Sequence, residues 1–181
     1  MKVTILLVPF KNDQRFFSTL EMVMKAEGDY KILVVDNNKD HHLEPLLKDY
    51  PVRYVWNANQ KALAGASNKA LDIIDTEFFI YVCTNHCYVY DQSWVKKISG
   101  HFEGMTECVM AGALQPFQGK RHVQGGVFIA RTKEMREIRW DDKRYPFSFM
   151  DVNVSNRIRK AGYKICKIPY IRSVMFGYRD P

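Results

Sequence analysis

Three strand-length apolar runs, one ended by a proline and two by polar clusters, restrict what this chain can fold into more than any other feature. Ile5-Leu6-Leu7-Val8 gives way at Pro9. Ile32-Leu33-Val34-Val35 stops at Asp36-Asn37-Asn38, and Phe78 to Cys83, interrupted by Tyr81, stops at Thr84-Asn85-His86. A run with no polar alternation is a strand buried on both faces, and such strands belong to parallel sheets covered by helices. Helical stripes fill the intervals. Asp13 is placed to cap a helix carrying Phe16, Leu20, Val23 and Glu27, with Gly28 at its end. His42 to Lys48 predicts a short helix and Val52 to Trp56 a strand. Leu63 to Ile74 and Ser93 to Phe102 predict further helices, and Cys108 to Leu114 a strand. The alternation implies an open, mostly parallel twisted α/β sheet with helices on both faces.

The second half reads less regularly. Gln115 to Gln124 is polar and predicts a loop. Val127 to Ala130 is expected as a strand, Thr132 to Ile138 as a short helix and Trp140 to Ser148 as a loop. Met150, Val154, Ile158 and Ala161 trace an amphipathic helix that stops at Gly162. Short strands at Lys164 to Ile168 and Arg172 to Phe176 complete the pattern. With 181 residues, no repeat and no linker, one domain over 1–181 is expected.

Several classes drop out. No apolar run approaches the roughly 20 residues of a membrane-spanning helix, and Met1-Lys2 leads into a strand rather than a signal peptide. A cytoplasmic location, peripheral at a membrane or free, is the expectation. Cys83, Cys87, Cys108 and Cys166 do not form the two close pairs of a four-thiolate zinc site, and free thiols are expected. The first strand is followed by Pro9-Phe10-Lys11-Asn12-Asp13, without the glycines of a dinucleotide turn, and no phosphate loop of the G-x-x-x-x-G-K-S/T kind occurs. The formal net charge is +7, from 27 Lys and Arg against 20 Asp and Glu. Its densest clusters are Lys120-Arg121 and Arg157, Arg159 and Lys160. That surplus suits a phosphorylated ligand, an anionic membrane surface or nucleic acid, although no nucleic-acid signature accompanies it.

In an open parallel sheet the ligand crevice lies beyond the carboxyl ends of the strands. The clusters Asp36-Asn37-Asn38 and Thr84-Asn85-His86 end two central strands and mark that edge, although Asp and Asn are also ordinary turn formers. Gly125-Gly126 permits close backbone approach where a sugar or diphosphate must lie flat against the chain. Asp151 stands in the first turn of a helix, where a carboxylate is favoured by the helix dipole and where capping alone would also account for it. Asp141 and Asp142 are its nearest rivals.

The order of these pieces resembles glycosyltransferase family two, whose members have the GT-A fold. Val3 to Asn12 looks like its first strand and loop, and Ile32 to Asp40 like its second strand ending in Asp-Asn-x-x-Asp. Asn57-Ala58-Asn59 with Gly65 to Ala70 looks like its asparagine-rich turn and helix. Gly125 to Arg131 resembles the acceptor-side strand, and Phe149 to Ile158, continuing to Ile165, the Glu-Asp-x-Asp segment. The resemblance implies a nucleotide-sugar half over about 1–114 and an acceptor half over about 115–181. It implies inverting transfer of a sugar from a nucleoside diphosphate to the hydroxyl of a glycan or other acceptor. Asp151 would be the base, Asp36 would meet the base or ribose with Asn38 beside it, and Pro9 and Phe10 would pack on the base. Lys61 or Asn68 would reach the diphosphate, with Asn85, Gly125 and Gly126 also lining the donor. The chain departs from the family where Asp-x-Asp is expected: His86 stands at the metal-binding position, Met150 replaces the first acidic residue, and Met175-Phe176-Gly177 replaces a histidine. Mn²⁺, or Mg²⁺, arriving with the diphosphate is one expectation; metal-independent diphosphate binding is the other. A catalytically inactive nucleotide- or glycan-binding relative is the alternative to an enzyme, with a nucleic-acid-binding protein behind it. A homodimer is left open.

Overall fold

The computed structural model describes residues 3–58, 62–84, 87–88, 91–169 and 174–175. The elements run β1 (Val3–Leu7), α1 (Asp13–Met24), β2 (Tyr30–Asp36), α2 (Leu43–Leu47), β3 (Val52–Trp56), α3 (Ala62–Ile73), β4 (Phe78–Val82) and β5 (Cys87–Tyr88). They continue as α4 (Trp94–Glu103), β6 (Cys108–Phe117), β7 (Lys120–Arg131), α5 (Thr132–Ile138), α6 (Met150–Lys160), β8 (Lys164–Lys167) and β9 (Val174–Met175). Seven strands form one sheet in the order β3-β2-β1-β4-β7-β6-β8, and β5 pairs with β9 apart from it. Within the large sheet β7 alone runs against its neighbours, so the parallel expectation holds for the rest.

Strand alternation sorts the core into two layers. Val3, Ile5, Leu7, Ile32, Val34, Phe78 and Ile80 face one side, against Phe16, Leu20 and Val23 of α1 and Trp94, Ile98 and Phe102 of α4. Leu6, Leu33, Val35, Phe79 and Tyr81 face the other, against Ala66, Ala70 and Leu71 of α3, Met135 of α5 and Val154 and Ile158 of α6. Both faces of each central strand are therefore covered, which is why its sequence shows no alternation.

The structure corrects four local expectations. Asn12, not Asp13, caps α1: its side chain accepts from Arg15 N at 3.0 Å. That helix ends at Met24 rather than Gly28, because Glu27 N turns to Gln92 O. The stretch Gln115 to Gln124 is no loop but the tip of the β6–β7 hairpin. Phe117 pairs with Lys120, and Gln118 and Gly119 both have positive φ, 47° and 75°, as a two-residue type I′ turn requires. Gln-Gly lacks the usual Asn-Gly or Asp-Gly signature of that turn. Finally, Cys108 and Cys166 are not free thiols but a disulfide joining β6 to β8, with Cα atoms 6.1 Å apart. Of the strand expected over Arg172 to Phe176, the described residues are Val174–Met175, which form β9 and pair antiparallel with β5.

Candidate active site

Parallel register brings Leu7, Val34 and Val82 level, so the chain leaves β1, β2 and β4 at one edge. The reversed strand β7 passes this edge through Gly125-Gly126, and Cys83 N donates to Gly126 O at 2.8 Å. A cleft of about 700 Å³ opens there. Its lining is mainly apolar, with Val8, Leu63, Met110, Phe128 and Trp140 among its walls, and Lys11, Asn37, Tyr81, Thr84, Ser148 and Asp151 among its polar side chains. Phe10 and Phe147 meet across it at 5.9 Å between ring centroids, and Lys11 Nζ lies 5.0 Å over the Phe10 ring. Phe147 and Phe149, both lining the cleft, are half exposed.

Asp151 sits in the first turn of α6, and its side chain is about one quarter exposed. Its Oδ2 accepts from Gly125 N at 3.1 Å and its Oδ1 from Val152 N at 2.8 Å. Two backbone N–H groups thus fix the carboxylate at the cleft wall. The carboxylate lies directly against Gly125, where an added Cβ would make an ordinary 3.5 Å contact with Asp151 Oδ2. His122 Nε2 lies 3.7 Å from Asp151 Oδ2, and the imidazole is buried, with Nδ1 lacking a hydrogen-bond partner among the described residues. An Asp fixed in this way beside a cleft can orient a hydroxyl and accept its proton.

Asp36 is fully buried and already engaged. Tyr54 Oη donates to its Oδ2 at 2.8 Å and Asn38 N to its Oδ1 at 2.9 Å. Burial, and after it the Asp36 carboxylate, push the Tyr54 phenol far above the ordinary tyrosine range. Asn38 accepts from Lys11 N at 2.7 Å, while its buried Nδ2 has no partner among the described residues. Pro9 O accepts from Asn37 N at 3.2 Å, and Asn57 Nδ2 donates to Asn37 Oδ1 at 2.9 Å. The polar cluster after β2 therefore braces the loop after β1, which carries Phe10 into the cleft.

The remaining predicted residues separate. Asn68 lies outside the cleft, and both ends of its amide hold the Trp140 backbone: Nδ2 donates to Trp140 O at 3.0 Å and Oδ1 accepts from Trp140 N at 2.9 Å. Beyond Trp140 lies a second cleft of about 540 Å³ that Asn68 does line, together with Lys69, Arg139, Asp141, Asp142 and Arg157. Asp141 and Asp142 line that second cleft and not the one with Asp151, Trp140 lining both, and Asp141 Oδ1 is spent on Arg144 N. Lys61, Asn85 and His86 lie outside the described residues. Among the described residues no three His, Cys, Asp or Glu side chains are grouped to hold a metal ion. His122 and Trp140 were missed in the sequence. His122 falls in the stretch read as a loop, and only its strand register next to Gly125 could have pointed to it.

The family model described as glycosyl transferase family 2 matches residues 6–160. Among solved structures, a mannosyltransferase from Pyrobaculum calidifontis, in complex with GDP-Man and Mn²⁺, superposes with a TM-score of 0.71 at 10% identity, covering 92% of this chain and 54% of that one. The bifunctional IspDF of Campylobacter jejuni gives 0.59 at 13%, covering 93% of this chain and 49% of its own. The 4-diphosphocytidyl-2C-methyl-D-erythritol synthase of Anaerococcus prevotii gives 0.64 at 10%, covering 92% and 86%. The chain thus spans about half the length of the first two. At these identities the likeness is one of fold, the GT-A-like arrangement of sheet and helices. No curated protein matches the chain in sequence. Among the described residues no helix is long and apolar enough to cross a membrane.

Proposed function

This chain belongs to glycosyl transferase family 2, and from that premise we propose that it moves a sugar from a nucleoside-diphosphate sugar to an acceptor hydroxyl with inversion at the anomeric carbon. The observation that carries this reading is the carboxylate of Asp151, held by Gly125 N and Val152 N at the wall of the 700 Å³ cleft. In the proposed reaction Asp151 takes the hydroxyl proton as that oxygen attacks the anomeric carbon. The nucleoside diphosphate leaves with the bonding electron pair. Phe10, carried by the braced loop after β1, would pack on the donor. The apolar walls would exclude water from the reacting centre and so favour the acceptor over hydrolysis. We assign residues of about 1–114 to the donor and about 115–181 to the acceptor. The mannosyltransferase of the same fold was solved with Mn²⁺. Here the described residues supply no ready ligand set, so no step is assigned to a metal.

The lack of a carboxylate in Thr84-Asn85-His86, where the family carries Asp-x-Asp, favours a second reading, in which the chain binds a nucleotide or glycan without turnover. One screen separates the two. UDP-, GDP- and dTDP-sugars are tested for thermal stabilisation and for donor turnover, with Mn²⁺, with Mg²⁺ and with neither. Stabilisation and turnover together are expected. Stabilisation alone favours the binding protein, and no response to any donor defeats both.

A further inference from the structure

Beside the proposed acceptor cleft lies a smaller one of about 180 Å³, built from the β6–β7 hairpin and α6. Gln118, Lys120, Arg121 and His122 line it from the hairpin, and Val152 and Asn156 from α6. Its chemistry differs from that of its neighbours. The 540 Å³ cleft contains Asp72, Asp141 and Asp142 among its cations, and a cleft near the start of α5 contains Asp75, Glu77 and Glu134 among its own. The small cleft has two cations and an imidazole but no carboxylate. Neither Lys120 nor Arg121 has a carboxylate partner among the described residues. A third cation is tied to the rim, since Arg159 donates through Nη2 to Arg121 O. Arg159 Nη1 also occupies Asn156 Oδ1 at 3.3 Å, which leaves the amide N–H₂ of Asn156 for a ligand.

Folding has thus merged two basic clusters that lie far apart in the chain, Lys120-Arg121 and the Arg159 region, around one small hollow. Cations gathered without a carboxylate repel one another unless an anion sits among them. Arg, Lys and amide N–H groups are also the donors that recognise phosphate. The space suits a single tetrahedral anion with the start of its substituent and is too small for a nucleotide. Its wall toward the apolar cleft includes His122. That imidazole presents Nε2 to Asp151 Oδ2 at 3.7 Å, while its buried Nδ1 has no partner. One ring therefore separates an anion in the small cleft from the carboxylate.

We propose that this cleft binds a phosphate group carried by the acceptor, so that the acceptor is a phosphorylated compound whose hydroxyl is presented to Asp151. The proposal rests on the glycosyl-transfer reading for its acceptor, although not for its anion site. The same donors would also hold free phosphate, or a diphosphate if the donor bound here instead, and the experiment distinguishes these sources.

The full chain is titrated with inorganic phosphate at low salt, with and without UDP and GDP, while the ring signals of His122 and the amide signals of Lys120 and Arg121 are followed by NMR. Saturable shifts at these residues that persist in the presence of nucleotide are expected. Replacing Lys120 and Arg121 together by Gln removes two charge-assisted contacts and is expected to weaken phosphate binding by roughly 10-fold or more. Both side chains are on an exposed hairpin tip, so the melting temperature and the response to nucleotide should remain those of the parent. Phosphate affinity unchanged in the double variant, or displacement of phosphate by UDP or GDP, would overturn the proposal. The latter result would put the anion in the donor site. Phosphate binding at His122 without any nucleotide response would defeat the glycosyl-transfer reading and the acceptor with it, leaving the anion site in place. Phosphorylated sugars should then outcompete their unphosphorylated forms as acceptors in the parent and lose that advantage in the double variant; equal use of both forms by the parent contradicts the acceptor assignment.

Discussion

Asp151 accepts from two backbone N–H groups at once, and that arrangement determines what its replacement does. In Asp151→Asn one carboxylate oxygen becomes an N–H₂ facing either Gly125 N or Val152 N, so one acceptor is lost along with the base. Turnover of the nucleotide sugar should fall by roughly 100-fold or more while nucleotide affinity persists. Near-parental turnover would return attention to Asp141 and Asp142 in the neighbouring cleft. Asn68 makes a different kind of contribution. Its amide closes both polar groups of the Trp140 backbone, and Trp140 walls both large clefts. Asn68→Ala would leave a buried N–H and C=O unpaired, each costing about 1–3 kcal/mol. Chemical unfolding should register that loss. Asn68→Asp, which keeps the acceptor but sets an oxygen against Trp140 O, should recover only part of it.

Between elements, His42 is the clearest tie. Its Nε2 meets Asp13 Oδ2 at 2.6 Å and its Nδ1 meets Asp40 Oδ1 at 2.5 Å, linking the start of α1 to the loop before α2. Hydrogen bonds to Asp40 and then Asp13 raise the His42 pKa above its usual 6.5. The folded state therefore holds this proton more tightly than the unfolded chain. Its contribution is complete below pH 6.5 and declines as the pH rises from there through the raised folded value. A melting-temperature profile should show that decline, and His42→Gln should flatten it; an identical profile in the variant would remove His42 as its source. The hairpin supplies a second test. Between Gly112 and Leu114 the β6–β7 register shifts, and a Cβ on Gly112 would meet Val123 Cγ1 at 2.8 Å and Val127 O at 3.0 Å. A backbone oxygen cannot yield as a side chain can, so Gly112→Ala should cost about 1–3 kcal/mol in urea unfolding.

Across the whole molecule, the Cys108–Cys166 disulfide closes 58 residues of chain, which include the β6–β7 hairpin and the helix bearing Asp151. On the chain-entropy argument, opening a loop of that length costs about 4 kcal/mol. Reductant, or a double Ser variant, should then lower the melting temperature by roughly 10 °C, whereas an unmoved transition would mean the pair does not persist in solution. The distances between partners in the chain also explain what could be read beforehand. Runs such as Ile32 to Val35, buried on both faces, determined the parallel sheet and the edge where its strands end, because burial leaves its mark on each residue locally. That Phe10 and Asp151 stand at the cleft follows from their places at the ends of such local patterns. The hairpin tip was not legible in this way, because Gln118 takes a positive φ that only its pairing partners impose. Nor were the contacts of Asp36 with Tyr54, of Asn68 with Trp140, or of Asp151 with Gly125 and His122. A side chain's partner across 18, 72 or 26 residues depends on how strands and helices stack, and no local periodicity carries that information. Composition and pattern decided which residues reach the sheet edge; only the packed structure decided which of them are already spent on the protein itself and which still face a cleft.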